Sequence, residues 1–168
     1  MAEAVELRRA GPSDAAAIRA LTRAAYAKWV PLIGREPKPM GADYEAAVRS
    51  HRFDLLYVDG VLAGLIETID EDGQLLIENV AVSPAFQGRG LGRRLMAQAD
   101  AVAHALGRGR IRLYTNRRFE ENVRLYARLG YRVDREEAIG DGVAVHMSKE
   151  LDAGQGAALP NPDDMNII

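Results

Sequence analysis

Cysteine is absent from the 168-residue chain. Its absence excludes disulfide bonds and any catalysis by a cysteine thiolate. Histidine is scarce as well, and the three histidines, His51, His104 and His146, do not form a set with metal-ligand spacing. The sequence therefore predicts no metal site.

Long hydrophobic runs are also missing. No segment is long enough to cross a bilayer, and residues 1–10 lack the apolar core of a signal peptide. The formal net charge of −2 argues against nucleic acid as a partner. Hydrophobic residues make up 48% of the chain and charged residues 27%, which is typical of a globular domain. We therefore expect a cytoplasmic protein that binds neither membranes nor nucleic acid.

Residues 75–105 contain the most informative pattern in the chain. An apolar run from residue 75 to residue 82, interrupted by Glu78 and Asn79, predicts a strand that Pro84 ends. A glycine-rich turn follows at residues 87–92. Beyond it, apolar residues recur at helical spacing. The predicted order is strand, glycine turn, helix.

This order is suited to binding phosphate. A helix N-terminus presents unpaired N–H groups and the positive end of its dipole, and glycines let a ligand approach the backbone. Arg89, Arg93 and Arg94 add positive charge. The glycine spacing, G-x-G-x-G, matches neither the Rossmann fingerprint nor the Walker loop. The alternative is an ordinary strand-to-helix turn with surface arginines.

Gln87, Gly90 and Gly92 fill the pattern Q/R-x-x-G-x-G/A, and the stretch resembles the pyrophosphate loop of the GNAT superfamily of N-acetyltransferases. The resemblance implies acetyl-CoA as the ligand and CoA as a product. The cofactor-binding residues that it implies are Val80, Ala81, Val82, Gln87, Gly88, Arg89, Gly90, Leu91, Gly92, Arg93, Asn122 and Tyr126.

The predicted elements follow the order βααβββαβαβ, with a helical crossover between parallel strands after residue 82. This order resembles the GNAT fold, a mixed α/β (α+β) architecture in which helices flank a central mixed sheet. We expect one such domain over residues 1–151. Residues 152–168, rich in Gly, Pro and Asp, are expected to form a flexible tail.

Residues 29–40 contain three prolines and a glycine, which predicts a loop. The segment is unusually apolar for a loop, with Trp29 at its start. In GNAT enzymes this region lines the acceptor site, so the resemblance implies that it covers the acceptor and that Trp29 contacts it. The alternative is that its apolar residues pack under the first helix.

Tyr126 is the candidate general acid. Residues 125–131 resemble the GNAT signature L-Y-x-x-x-G-F/Y at every defined position. A Tyr hydroxyl has a reference pKa near 10, against about 8.5 for a thiol, so it can donate a hydrogen bond and a proton to a leaving sulfur. The alternative is a structural Tyr in the core.

Glu78 is the candidate general base, because a carboxylate inside a buried strand is costly unless it is satisfied or functional. GNAT enzymes often use a carboxylate on this strand. A bulge can reverse the face that a residue takes, so Asn79 is an alternative substrate contact and Glu67, on the neighbouring strand, is a rival base.

Asn122 precedes Tyr126 by one helical turn and shares its face. Many GNAT enzymes have an Asn seven residues before this Tyr, where it contacts the pantetheine arm. Phe119 occupies that position here, which is a departure from the family pattern. We therefore expect Asn122 to contact CoA in place of that Asn.

These residues together predict direct transfer of an acetyl group from acetyl-CoA to a primary amine, most simply that of a small molecule. An N-terminal or lysine amine of a protein is the alternative acceptor, and a non-catalytic acyl-CoA sensor is the alternative function. Because GNAT proteins often pair through sheet edges, the resemblance also makes a homodimer an assembly to test.

Overall fold

Within residues 3–151, which the computed structural model describes, seven strands form a single mixed sheet in the order β1-β2-β3-β4-β5-β7-β6. The strands are Val5–Arg9 (β1), Arg52–Val58 (β2), Val61–Glu71 (β3), Gln74–Val82 (β4), Arg110–Asn116 (β5), Arg132–Ile139 (β6) and Gly142–Glu150 (β7). The predicted tail, residues 152–168, lies outside the described residues, and the domain boundary at residue 151 stays a prediction.

Helices cover both faces of this sheet. They are Ala15–Tyr26 (α1), Val30–Ile33 (α2), Tyr44–Ser50 (α3), Leu91–Ala105 (α4) and Glu120–Arg128 (α5). Two hydrophobic clusters form, one with α1 and α3 and the other with α4 and α5. Leu55 and Leu56 are both fully buried but belong to different clusters, because successive side chains of a strand point to opposite faces. The predicted mixed sheet with flanking helices is confirmed.

Residues 29–40 are not the continuous loop that the sequence predicts. Short helical segments at Ala27–Trp29, Val30–Ile33 and Lys38–Gly41 follow one another here. Prolines stand in the first turn of the last two segments. A first-turn residue has no helical partner for its N–H, so proline begins a short helix there instead of preventing one.

β4 carries a bulge at Glu78. In the antiparallel register with β3, Glu67 faces Asn79 while Thr68 faces Ile77, so Glu78 is an extra residue with no partner opposite it. The bulge changes the alternation of side chains. Ile77 packs in the α4 cluster before it, and Val80, three residues later, packs there again.

β4 and β5 separate at this bulge. The predicted parallel pairing is confirmed, but it extends only from Leu75 opposite Ile111 to Ile77 opposite Leu113. β5 continues to Asn116 with β7 as its partner. From Glu78 onward, the β4 backbone therefore has no strand on its β5 side, and a gap opens in the middle of the sheet.

Candidate active site

Two cavities meet at the gap between β4 and β5. The glycine-loop cleft, about 380 Å³, lies between β4, the loop that follows it, and the helices α4 and α5. The carboxylate cavity, about 690 Å³, lies between α3, β4, β5, residues 33–42 and the β6–β7 turn. Tyr26 lines both cavities, so they adjoin each other at the bulged strand.

The backbone of the glycine loop explains its sequence. Gly88 and Gly90 both have φ of 79°, a conformation that strains any residue with a side chain. Gly90 is also the N-cap of α4, a helix of fifteen residues. Gly92 faces Leu125 of α5, whose Cδ2 would lie 3.9 Å from an added Cβ. The loop thus opens directly onto a helix N-terminus, which favours an anionic ligand.

Almost all of the predicted cofactor-binding residues line this cleft. They are Val80, Ala81, Val82, Gln87, Gly88, Gly90, Leu91, Gly92, Arg93, Asn122 and Tyr126. Arg89 does not line it: its Nη1 lies 3.1 Å from Glu3 Oε1 and its guanidinium lies over the ring of Phe86. Arg93 is therefore the predicted arginine that the structure leaves facing the cleft.

Trp29, predicted to contact the acceptor, lines the glycine-loop cleft instead of the carboxylate cavity. Its ring stacks on Phe119 with the centroids 4.4 Å apart, and Lys28 Nζ lies 4.8 Å from its centroid. Phe119 lines the carboxylate cavity. The stacked pair thus separates the two cavities on this side. Phe119 was not predicted to be a site residue. The feature that could have identified it is its position, where many GNAT enzymes have an Asn instead.

Tyr126 is almost completely buried, with 6% of its surface exposed, and it lines the glycine-loop cleft. Its ring packs against Tyr131. Burial raises the pKa of Tyr126 to about 12. Its hydroxyl has no hydrogen-bond partner among residues 3–151, so it can donate a proton to a group in the cleft. The geometry therefore fits a general acid.

Both candidate carboxylates line the carboxylate cavity. The Tyr114 hydroxyl donates to Glu78 Oε1 at 3.4 Å. Glu67 is buried, with 4% of its surface exposed, and its Oε2 lies 2.6 Å from Nδ1 of His51. Burial raises the pKa of Glu67, the hydrogen bond from His51 opposes this, and the charge of Glu78 adds to the rise.

His51 was not singled out from the sequence as a site residue. It follows a short helix, sixteen positions before Glu67, and nothing in the local pattern relates the two. A pairing of this kind depends on the register of β2 and β3, which sets Phe53 opposite Glu67. The structure brings His51 to the wall of the carboxylate cavity, next to Glu67.

Asn79 lies at the centre of a buried hydrogen-bond network. Its Oδ1 accepts a hydrogen bond from the Tyr26 hydroxyl at 2.9 Å. Its Nδ2 donates to Thr22 Oγ1 and to the Tyr44 hydroxyl, both at 3.3 Å. Tyr44 in turn donates to the Pro39 carbonyl at 2.6 Å. Asn79, predicted to contact substrate, lines the cavity, but its amide already binds α1 and α3 to β4.

Replacing Asn79 by Ala is expected to lower the free energy of unfolding by about 2–3 kcal/mol, because buried hydroxyls lose their partner. Urea unfolding followed by circular dichroism measures this as a lower midpoint at an unchanged slope. Asn122→Ala is the matched control. Its side chain makes no hydrogen bond within residues 3–151, and a change within about 0.5 kcal/mol is expected. Equal midpoints for the two variants would show that the network does not stabilise the fold.

Among the residues that the structure describes, no group of three or more His, Asp or Glu side chains could hold a metal ion. In that same part of the chain, every helix is too short or too polar to traverse a lipid bilayer.

Comparison with known sequences gives a family match and similarity to curated proteins. A sequence model described as the acetyltransferase (GNAT) family matches residues 17–131. N-alpha-acetyltransferase 80 of Mus musculus is 39% identical over 71 residues, which is 42% of this chain. The match covers 21% of the mouse protein, so the comparison relates this chain to only part of that relative.

Comparison with solved structures shows the same fold in acetyltransferases. The ribosomal-protein-S18-alanine N-acetyltransferase of Escherichia coli has a TM-score of 0.73 at 18% identity, with 90% of this chain and 97% of that chain covered. The PaiA N-acetyltransferase of Thermoplasma acidophilum, solved in complex with coenzyme A, has a TM-score of 0.69 at 18% identity, with 88% and 99% covered.

Proposed function

The chain belongs to the acetyltransferase (GNAT) family, a class of acetyl-CoA-dependent N-acetyltransferases, and we propose that its two cavities hold the two substrates of one acetyl transfer. The observation that carries this proposal is the meeting of the two cavities at the bulge of β4. A donor in one cavity and an amine in the other would face each other across the gap in the sheet.

The glycine-loop cleft fits CoA. The N–H groups at the start of α4 and the Arg93 side chain would bind the phosphates. Beyond Glu78, the backbone of β4 lacks a neighbouring strand on its β5 side, so its N–H groups there would pair with the pantetheine arm. The Val80 and Val82 carbonyls accept hydrogen bonds from the Tyr26 hydroxyl and from Gln87 Nε2. Bound acetyl-CoA supplies the activated acetyl group, and CoA leaves as product.

The residues at the gap have complementary roles in this proposal. Glu78, with Glu67 as its rival, would accept the proton that an ammonium group must lose before it can attack. The Val80 N–H would bind the negative charge that develops on the carbonyl oxygen. Tyr126 would donate a proton to the departing sulfur, because its raised pKa keeps the hydroxyl protonated at neutral pH.

A small-molecule primary amine is the acceptor that we propose. The carboxylate cavity has the volume of a typical small-molecule site, and residues 33–42 form one of its walls. A protein N-terminus is the second candidate, favoured by the name of the mouse relative, an N-alpha-acetyltransferase. A cytoplasmic location and a homodimer remain predictions.

The first experiment is thermal melting with and without acetyl-CoA. At a ligand concentration of about 100 times Kd, binding adds roughly 2.7 kcal/mol to stability. For a domain of this size we expect the melting temperature to rise by about 5–10 °C. CoA alone should produce a similar shift, because the proposed contacts are to the nucleotide and the pantetheine arm.

Two arginine variants give the matched control. Arg93→Met should reduce the shift because Arg93 lines the cleft, whereas Arg89→Met should leave it unchanged because Arg89 pairs with Glu3. No shift at millimolar acetyl-CoA would refute the proposed cofactor site. Equal rises in melting temperature for the two variants would show that Arg93 does not bind the cofactor, while the cofactor site itself would stand.

A further inference from the structure

The carboxylate cavity has two chemically different ends. At the bulge, Glu78 and Glu67 provide negative charge, next to the Tyr114 hydroxyl. The opposite wall, formed by Arg35, the end of β5 and the β6–β7 turn, provides hydrogen-bond donors. These donors are the side chains of Arg35 and Asn116. An amine alone would use only the first end.

The two donor groups lie close together, beside Gly142. An added Cβ on Gly142 would lie 3.6 Å from Asn116 Nδ2 and 3.8 Å from Arg35 Nη2. Asn116 Oδ1 already accepts a hydrogen bond from the Arg118 N–H at 2.9 Å, so its amino group is the part that faces the cavity. Glycine at position 142 leaves both donor groups open to a ligand.

The positive charge at this end is poorly neutralised. Arg35 Nε lies 3.9 Å from Asp141 Oδ1, and the Asp141 side chain is 83% exposed. An ion pair as exposed as this one contributes little free energy. Within residues 3–151, Arg35 Nη2 has no hydrogen-bond partner. Burial raises the pKa of Tyr114 and Lys38 opposes this rise, so Lys38 lies at the carboxylate end of the cavity.

The spacing of the two ends follows from β5. Tyr114 and Asn116 are two residues apart and share one face of the strand, so their side chains start about 7 Å apart. Tyr114 reaches Glu78, whereas Asn116 and Arg35 both lie beside Gly142. A ligand that uses both ends therefore needs a cation and an anion separated by about that distance.

We propose that the acceptor carries a carboxylate about 7 Å from its reacting amine, as an ω-amino acid does. This inference rests on the proposed acetyl transfer. Glu78 binds the amine end, while Arg35 and Asn116 bind the carboxylate. At roughly 1.2 Å per bond of an extended chain, the distance corresponds to about five methylene groups.

A graded series of ω-amino acids, each compared with the alkylamine of the same length, tests this inference. CoA thiol release gives kcat/KM for each compound. We expect the amino acid of about five methylenes to exceed its alkylamine by about tenfold, since two charged hydrogen bonds are added. Shorter members should lose this advantage. Glycylglycine, whose amine and carboxylate are similarly spaced, tests whether a peptide acid is preferred to an ω-amino acid.

Arg35→Met should reduce the preference to within about twofold of unity, while turnover of the alkylamine is maintained. Arg135→Met, on the exposed strand β6, is the control and should keep the full preference. Alkylamines that react as fast as the matched amino acids would overturn the inference and leave the acetyl transfer standing. Absence of thiol release with every amine would overturn both.

Discussion

Replacing Tyr126 by Phe is expected to lower kcat by about 10²- to 10³-fold while the Kd for CoA stays within about twofold. The ring packs against Tyr131 in the core, and Phe retains that packing. The substitution removes only the hydroxyl, which has no hydrogen-bond partner among residues 3–151. Loss of the proton donor therefore acts on sulfur departure and not on binding.

Steady-state thiol release and calorimetric titration with CoA measure the two effects separately. Tyr131→Phe is the matched control, because its ring lies beside Tyr126 but it does not line the glycine-loop cleft. We expect its kcat to remain within about threefold of the original. Full activity in Tyr126→Phe would exclude the general-acid role. CoA binding without turnover by the unmodified protein would favour the acyl-CoA sensor.

The raised pKa of Tyr126 also predicts the pH profile. A hydroxyl with a pKa of about 12 stays protonated through neutral and mildly alkaline pH, so the proton donor is retained as the pH rises. Loss of activity on the alkaline side should therefore not begin until close to that pKa. A fall in kcat with a midpoint near the reference value of about 10 would contradict the burial effect.

Replacing Glu78 by Gln is expected to lower kcat/KM by about 10²- to 10³-fold at neutral pH. An amine with a pKa near 10.4 is neutral in only about four molecules in ten thousand at pH 7, so a base must remove its proton. Glu78 lies on the bulge, where it faces the cavity and accepts a hydrogen bond from Tyr114. Gln keeps the size of the side chain and removes its basicity.

The pH dependence distinguishes loss of a base from loss of structure. The deficit of Glu78→Gln should shrink as the pH approaches the pKa of the amine, because the neutral amine then no longer needs a base. Glu67→Gln is the parallel variant, and we expect a smaller deficit because Glu67 is buried and bonded to His51. A larger deficit in Glu67→Gln would assign the base to Glu67 instead.

Much of the fold could be predicted because its signals are local. Apolar periodicity and turn residues identify the strand at residues 75–82, the glycine turn and the helix after it, and the structure confirms this order. The prediction of a continuous loop at residues 29–40 is wrong in detail. Its prolines were interpreted as helix breakers, whereas their position within each short segment decides whether they break a helix or begin one.

The site could be predicted only in part, for the same reason. The glycine-loop cleft is built mainly from one continuous stretch, so its residues could be identified together. Trp29 could not be placed, because its ring position depends on stacking against Phe119, ninety residues later. Arg89 likewise faces Glu3, a contact between distant parts of the chain that no local pattern indicates.

By itself, the sequence determined the order of the elements, the glycine-rich turn and the membership of a family, since these depend on backbone preferences and short-range spacing. Only the tertiary structure decided which side chains share the carboxylate cavity. The bulge at Glu78, the contact of His51 with Glu67 and the convergence of Arg35 with Asn116 each require strand register and helix packing. Those contacts form between residues far apart in the chain, where sequence spacing carries no information about distance.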